Sequence, residues 1–371
     1  MKIAIFNWRD LENPRSGGAE IVTHKYAGYM ADHGHEVILV SPAFKGSLRE
    51  ETAGGIKIIR LGYPFPHNYL FHPLLVYFYY QKKLKNNVDL IIDQIHWVPF
   101  FTPLYVKEKI IVFIHEVAQP IWKRQFGTIL GFIGRSFEPF FYLPYRRTRF
   151  LTVSQTSKND LVKFNIPPGN IRIITSGFDI KPFKTPPVKN LNPSFIFLGR
   201  LVRGKNVEEV IQAFAVIKKS LKTAHLSIVG NIEDKKYFIR LFSLVKKLSL
   251  SEAVDFPGFV SGVKKISLLK KCHLLLHASV SEGWGLVVSE AAACGTPAVV
   301  YNVPGLSQSV TDKKTGLICT SNHPSEMAKL VLKLMNNKKL YRQLQKFCLS
   351  SAKKNSWDKS YREFVKVIHL S

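Results

Sequence analysis

A chain of 371 residues is longer than one hydrophobic core usually organises and suits two domains of roughly 150 to 200 residues each. Hydrophobic residues at 46%, charged residues at 21% and scattered Gly and Pro exclude a disordered or low-complexity chain. Lys and Arg number 53 against 26 Asp and Glu, and the resulting +27 favours anionic partners such as membrane lipid, nucleic acid or phosphorylated substrates.

The opening MKIAIFNW reads as a strand and lacks the basic, apolar and cleavage regions of a secretory signal. Arg15-Ser16-Gly17-Gly18-Ala19-Glu20 follows and opens a helix expected to run to about Asp32. Gly17, Gly18 and the first helical N–H groups then lie where an open sheet binds ligands. HEVILVS, DLIIDQI, KIIVFIH and RFLTVS continue an alternation of β-branched runs with helical stretches, the pattern of a parallel sheet covered by helices on both faces. His115 and Glu116 come directly after KIIVFI, at the ligand edge of such a sheet.

Two stretches of this half bear on membranes. Residues 61 to 81 are the longest uncharged run, but Pro64, Pro66 and Pro73 make a poor transmembrane helix. Residues 121 to 150 hold six basic residues and one acid among Trp122, Phe126, Phe132, Phe137, Phe140, Phe141, Tyr142 and Tyr145. Rings at headgroup level beside cations suit an anionic membrane surface; the alternative is a basic surface over buried aromatics. The expected location is the cytoplasm, with any membrane contact peripheral, on the inner face.

The strand and helix pattern restarts after residue 190 with PSFIFLG, a helix from Glu208 to Lys219, HLSIVG, AVDFPG, HLLLHAS and TPAVVY. The expected fold is therefore α/β with two doubly wound Rossmann-like domains, residues 1–180 and 194–355, joined by a Pro- and Lys-rich linker at 181–193. Residues 356–371 form a terminal helix. Four cysteines, Cys272, Cys294, Cys319 and Cys348, stand more than twenty residues apart. That spacing argues against a zinc site or a disulfide framework and fits a reducing compartment.

The most informative segment is VSEGWGLVVSEAAACGTPAVVYN, which begins at the end of HLLLHAS. A strand leads through Glu282-Gly283-Trp284-Gly285 into a helix expected to end at Gly295. The helix N-terminus offers unpaired N–H groups and partial positive charge, which phosphate favours. Glu290 lies five residues beyond Gly285, about 7 to 8 Å along the helix. Two carboxylates at different depths suit the vicinal hydroxyls of a hexose and a ribose; a plain helix-entry turn with a dipole-complementing Glu is the alternative.

The Glu282 to Glu290 spacing and the surrounding EGWGLVVSEAAACGTPAV resemble the signature of retaining GT-B glycosyltransferases of family four, the glycosyl transferases group 1. The resemblance implies that Glu282 and the amides of Gly283, Trp284, Gly285 and Leu286 hold the donor sugar and phosphate, and Glu290 the ribose. Arg200-Leu201-Val202-Arg203-Gly204-Lys205-Asn206 resembles the family's pattern of a strand followed by GR, a short turn and KN. Arg200 and Lys205 are then candidates to stabilise a departing diphosphate without a metal, since fixed cations oppose its developing charge. Asn206, Gly230, Gly258, Phe259 and Val260 are expected around the nucleotide. Gly17 and Gly18 resemble the glycine loop brought over the diphosphate, and His115 stands where relatives carry a His near the reacting centre.

The resemblance extends through Thr175-Ser176-Gly177-Phe178-Asp179, with Ser and Phe where Asn and Val are commoner, to the terminal helix opened by Ser356-Trp357, which in GT-B proteins crosses back to the first of two domains facing a central cleft. No Asp-x-Asp motif occurs in the sequence, so no metal or other cofactor is expected. The implied activity is hexosyl transfer from a nucleotide diphosphate sugar, with retention of configuration, to a glycan or lipid-linked acceptor in cell-surface polysaccharide or glycolipid synthesis. A hydrolysing sugar-nucleotide epimerase or a non-catalytic nucleotide-sugar-binding protein are the alternatives. No nucleic-acid partner is expected, because no recognised binding module is present.

Overall fold

A computed structural model describes residues 1–64, 68–96, 98–119 and 122–370, without the side chains of residues 68–70, 123–126, 369 and 370. Pro66 and the ring of Phe126 therefore lie outside the described residues. The chain divides into two compact units, Met1–Ser176 with Trp357–Ser371, and Gly177–Ser356.

The first unit contains β1 (Lys2–Phe6), α1 (Gly18–Asp32), β2 (Glu36–Pro42), β3 (Glu50–Ala53), β4 (Ile56–Leu61), α2 (Asn68–Tyr79), β5 (Leu90–Ile95), β6 (Lys109–Ile114), α3 (Trp122–Phe141), β7 (Arg149–Thr152), α4 (Gln155–Lys163) and β8 (Ile171–Ile173). Among the described residues its strands lie in the order β3-β4-β2-β1-β5-β6-β7-β8. All pair in parallel except β3, which folds back antiparallel on β4. That hairpin turns at Gly54 and Gly55, whose φ of 57° and 75° lies in the region glycine enters without steric cost. The central strands are largely apolar because helices cover both faces of a parallel sheet: Ile3, Ala4, Ile5 and Phe6 of β1 are all buried.

The second unit contains β9 (Ser194–Leu198), α5 (Val207–Ser220), β10 (His225–Val229), α6 (Lys235–Lys247), β11 (Val254–Gly258), α7 (Gly262–Lys271), β12 (Leu274–His277), α8 (Leu286–Ala293), β13 (Ala298–Val300), β14 (Gly316–Ile318), α9 (Pro324–Asn336) and α10 (Lys338–Ala352). Its parallel sheet runs β11-β10-β9-β12-β13-β14. The order reverses between β9 and β12, and in the first sheet between β1 and β5. Such reversals open a crevice at the carboxyl ends of the strands.

The stretch read as a linker is packed on the second unit. Within 181–193, Phe183 packs on the core that holds Ile196, Leu198 and Leu275, and its N–H donates to the Ala293 carbonyl at 3.2 Å; just before the stretch, Phe178 and Ile180 are buried in the same core. Lys189 donates from Nζ to Thr296 Oγ1 at 2.7 Å and to the Lys270 carbonyl at 3.1 Å. Apolar side chains at 183 and, just before the stretch, at 178 and 180 carry this anchoring, which the Pro and Lys content of the stretch masks. The terminal helix α11 (Trp357–Leu370) belongs to the first unit and packs on α1. The Tyr26 and Phe364 rings stack at 4.4 Å, Tyr26 and Ser360 hydroxyls share a 2.6 Å hydrogen bond, and Tyr29 donates to Asp358 at 2.7 Å.

Candidate functional site

Four adjacent strands of the second sheet, β11, β10, β9 and β12, end in the residues singled out from sequence. Their ends are stitched together by main-chain bonds from Gly199 N to Val229 O and from Gly230 N to Gly258 O, both 3.0 Å, and from Leu201 N to Asn231 O at 2.8 Å. Gly230 has no alternative here: a Cβ on it would stand 1.7 Å from the Gly199 carbonyl oxygen. This close approach brings the loops after β9 and β10 side by side.

The loop after β9 runs through Arg200 to a short 3-10 turn, Arg203–Lys205, and enters α5 through Asn206 at a φ of 54°. Arg200 donates from Nη1 to Glu233 Oε2 at 2.8 Å. Lys205 reaches across to the next loop and binds Glu282 Oε1. The two loops also meet through Val280 N and the Gly204 carbonyl at 3.1 Å.

Glu282 is the centre of this cluster. Its Oε1 accepts from Ser279 Oγ at 2.7 Å and lies 3.9 Å from His277 Nε2, the last residue of β12. Burial opposes ionisation of Glu282, but the charge of Lys205, the neighbouring His277 and the hydrogen bonds from Lys205 and Ser279 hold its pKa below the usual carboxylate range. Burial pushes His277 down to about 4, against the pull of Glu282, so its imidazole is neutral near pH 7. The Glu282 backbone is fixed by a 3.0 Å bond from its N–H to the Pro304 carbonyl. Gly305, at a φ of 71°, sits so close that a Cβ there would be 1.6 Å from the Glu282 carbonyl oxygen.

Glu290 occupies the second turn of α8 and is not part of that cluster. Lys265 of α7 donates to its Oε1 at 2.6 Å. Burial nevertheless raises the Glu290 pKa, with Lys265 opposing. Glu282 and Glu290 are thus pushed in opposite directions, one held as carboxylate and one shifted toward the acid.

Between them the turn Gly283-Trp284-Gly285 enters α8, whose N-cap is Gly285. The Trp284 indole donates to Ser289 Oγ at 3.2 Å, which lays the ring along the helix. The Leu286 amide donates to the Trp284 carbonyl at 2.7 Å and so is already engaged within the turn. A Cβ on Gly285 would meet Ser309 Oγ at 2.8 Å, Val288 at 3.2 Å and Leu306 at 3.3 Å, so a side chain there would require its neighbours to shift. Beyond β11, Gly258 has a φ of 73°, Val260 is buried and Phe259 is exposed.

In the first unit, Gly17 is the N-cap of α1 and its amide donates to Glu20 Oε2 at 2.6 Å, the glutamate half of a capping box. Gly18 opens the helix. Glu20 is buried and takes a 2.9 Å bond from Arg9 Nε; burial works against its charge, yet Arg9, His96 and the Gly17 amide bring its pKa down to about 2. His115 follows β6 and stacks on Phe113 at 4.6 Å and on His96 at 6.1 Å. Burial, reinforced by His96, pushes it down to about 3, and its Nε2 is buried with no hydrogen-bond partner among the described residues. A neutral imidazole with one unused ring nitrogen is suited to exchange a hydrogen bond with a hydroxyl group.

The structure therefore joins Lys205 with Glu282, sets Arg200 on the adjoining loop, and holds Glu290 in a separate pair; Gly17, Gly18 and His115 are in the other unit. His277, Ser279, Glu233 and Lys265 contact the expected residues but escape a reading of sequence. His277 alone carried a signal, as the polar end of the apolar run HLLLH. Among the described residues no group of three His, Cys, Asp or Glu side chains is placed to hold a metal ion, and the cysteines are buried and free.

Residues 16–181 match the family described as Glycosyltransferase Family 4, and residues 181–348 match Glycosyl transferases group 1. The chain is 28% identical over 217 residues to D-inositol 3-phosphate glycosyltransferase of Paenarthrobacter aurescens. That match takes in 56% of this chain and only about half, 53%, of the relative. Sucrose-phosphate synthase from Thermosynechococcus elongatus superposes with a TM-score of 0.82 at 18% identity, over 100% of this chain and 98% of that one. HepE of Anabaena, solved in complex with UDP-glucose, gives 0.77 at 16% identity over 100% of both chains. The two doubly wound units, the strand-end motifs and the two adjoining family matches together identify the fold as GT-B and the chain as a glycosyltransferase of family four, group 1.

Proposed function

We propose that the protein transfers a hexose from a nucleoside diphosphate sugar to a glycan or lipid-linked acceptor, with retention of configuration and without a metal ion. The observation that carries this reading is the Lys205–Glu282 pair at the ends of β9 and β12, with Arg200 on the same loop as Lys205. A diphosphate leaving group gains negative charge as the bond to the sugar C1 breaks, and preorganised cations stabilise that charge. Lys205 and Arg200 serve that role. Glu282, kept ionised by Lys205, accepts hydrogen bonds from the sugar hydroxyls, and Glu290, held by Lys265, takes the ribose.

In the retaining route the acceptor oxygen forms its bond to C1 on the face that the diphosphate leaves. The departing phosphate oxygen takes the acceptor proton, so no protein base is required. His115, neutral and with Nε2 unused, hydrogen-bonds the sugar or the acceptor rather than supplying charge. Gly17 and Gly18 leave the start of α1 without side chains that would screen it from a phosphate. The donor class agrees with the UDP-glucose held by the fold relative HepE. The place of action is the cytoplasmic face of a membrane, in surface polysaccharide or glycolipid synthesis.

The test is a screen of UDP-, GDP- and ADP-sugars for release of nucleoside diphosphate, followed by NMR of the product anomer. One donor class should be turned over, and the product should keep the donor's configuration. Donor binding without turnover in the presence of an acceptor panel would support a non-catalytic role; an inverted product would overturn the retaining route.

A further inference from the structure

α3 is two helical pieces joined at Gly127, whose φ of 77° breaks the helix, and in the second piece the usual amphipathic arrangement is reversed. At about 100° per residue, Gly131, Gly134, Glu138 and Tyr142 gather on one side, and these are the buried or half-buried positions. The opposite arc, roughly 160° wide, carries Ile129, Leu130, Phe132, Ile133, Phe137 and Phe140, with exposures of 78%, 62%, 71%, 46%, 58% and 61%. Leu143, just beyond the helix, and Leu104, beside the Phe101 ring that meets Phe141 edge-on at 6.1 Å, are exposed as well. Apolar side chains at this density on one face are not explained by packing within the chain.

The protein-facing side is fixed in place. The Trp122 ring lies where a Cβ on Gly134 would stand, 2.3 Å from the nearest ring carbon. Buried Glu138 accepts from the Ala118 amide at 2.7 Å, the Trp122 indole at 2.8 Å and Gln119 Nε2 at 3.1 Å. Gln119 also donates to the Arg135 carbonyl at 2.8 Å and accepts from Arg135 Nε at 3.0 Å. The helix is thereby clamped to the segment that follows His115.

We propose that α3 lies in the plane of an anionic lipid leaflet, its exposed apolar arc among the acyl chains, and that the Glu138 clamp holds the His115 strand end at that surface to receive a lipid-linked acceptor. The occupant is specified by charge: Arg135, Arg146, Arg147 and Arg149 lie along or just after the helix, whose one acid, Glu138, faces the protein. An apolar face flanked by cations binds bilayers with acidic headgroups. A uniform apolar protein partner would not call for those arginines. The acceptor clause rests on glycosyl transfer, whereas the docking clause does not.

The experiment is co-sedimentation of the full chain with vesicles of phosphatidylcholine alone and of phosphatidylcholine containing phosphatidylglycerol, without donor present. The variants are the pairs Phe137→Ser with Phe140→Ser, Ile129→Ser with Phe132→Ser, and, as a control on exposed apolar residues of the second unit, Leu191→Ser with Val263→Ser. Binding should require phosphatidylglycerol, fall roughly tenfold or more in each α3 pair, and be unchanged in the control, with thermal unfolding preserved in all. Equal binding by the α3 pairs, equal binding to neutral vesicles, or a dimer in solution that the α3 substitutions dissociate would each overturn the proposal. Release of nucleoside diphosphate, assayed separately without vesicles, reports on the catalytic reading alone. Loss of that release with vesicle binding intact would remove the acceptor clause and leave the docking clause standing.

Discussion

At the scale of single residues, the two carboxylates eight positions apart prove to be unlike groups. Glu282 sits against a lysine, a serine hydroxyl and a neutral histidine, and Glu290 against one lysine with burial prevailing. Removing the charge of a group that supports the transition state lowers kcat, while removing uniform binding raises KM. Glu282→Gln leaves Lys205 without its partner and should lower kcat by about 10²-fold or more. Glu290→Gln should act chiefly on donor KM. Steady-state kinetics with both variants, beside circular dichroism to establish that they fold, would show the split; a larger kcat loss in the Glu290 variant would reverse the assignment. Sequence reading singled out both glutamates, both cations and His115 as candidates from motif and position. It missed His277, Ser279, Glu233 and Lys265 because each meets its partner through tertiary contact between different strand ends or helices, which no local spacing records.

At the scale of elements, α1 shows how a helix start can be both structural and a candidate for binding. Its first-turn Glu20 caps Gly17 and pairs with Arg9 while buried. The folded pKa of about 2 lies below the ordinary carboxylate value of 4.5, so the stabilisation is complete above the unfolded pKa and is lost as pH falls through the window from about 4.5 to about 2. Glu20→Gln should therefore unfold at a lower urea concentration than the parent at pH 7, by about 1 to 3 kcal/mol, and the difference should shrink toward pH 2. A pH-independent difference between the two would sink the assignment.

Elements with strong alternation were legible: β1, α1, β2, β5, β6, β7, β9, β10 and β12 all coincide with runs read from residues. The β3–β4 hairpin was not, although Gly54-Gly55 before the apolar run of β4 is a turn signal. The outward face of α3 was anticipated only as a basic aromatic stretch. Sequence alone left open whether those rings are buried or exposed, because a helix with apolar residues on one arc reads the same whichever way it turns.

At the scale of the whole chain, each unit has its own buried core, in the first around β1, β5 and β6 and in the second around β9, β10 and β12. The candidate donor residues of the second unit lie on loops that its core holds in register. A nucleoside diphosphate that binds the folded chain and not the unfolded one should raise the unfolding temperature, with about 2.7 kcal/mol gained at a ligand concentration a hundred times Kd. Differential scanning calorimetry over a series of UDP, GDP and ADP concentrations would rank the bases. A temperature unmoved by all three would argue against donor binding in this half. Identity at 18% or less to fold relatives with TM-scores of 0.77 and 0.82 marks how much of the architecture survives replacement of its side chains.

The sequence by itself determined the α/β class, the two-fold repetition of the doubly wound pattern, and two short motifs, the Glu282 turn and the loop from Arg200 to Lys205. These rest on local periodicity and on short motifs whose residues are neighbours along the chain. Only the tertiary structure decided that residues 178–193 pack on the second unit, that Lys205 rather than Arg200 neutralises Glu282, and that the arc of α3 faces outward. The physical reason is common to all three: burial and pairing depend on which distant segments the fold brings together. Spacing within a segment carries no record of that.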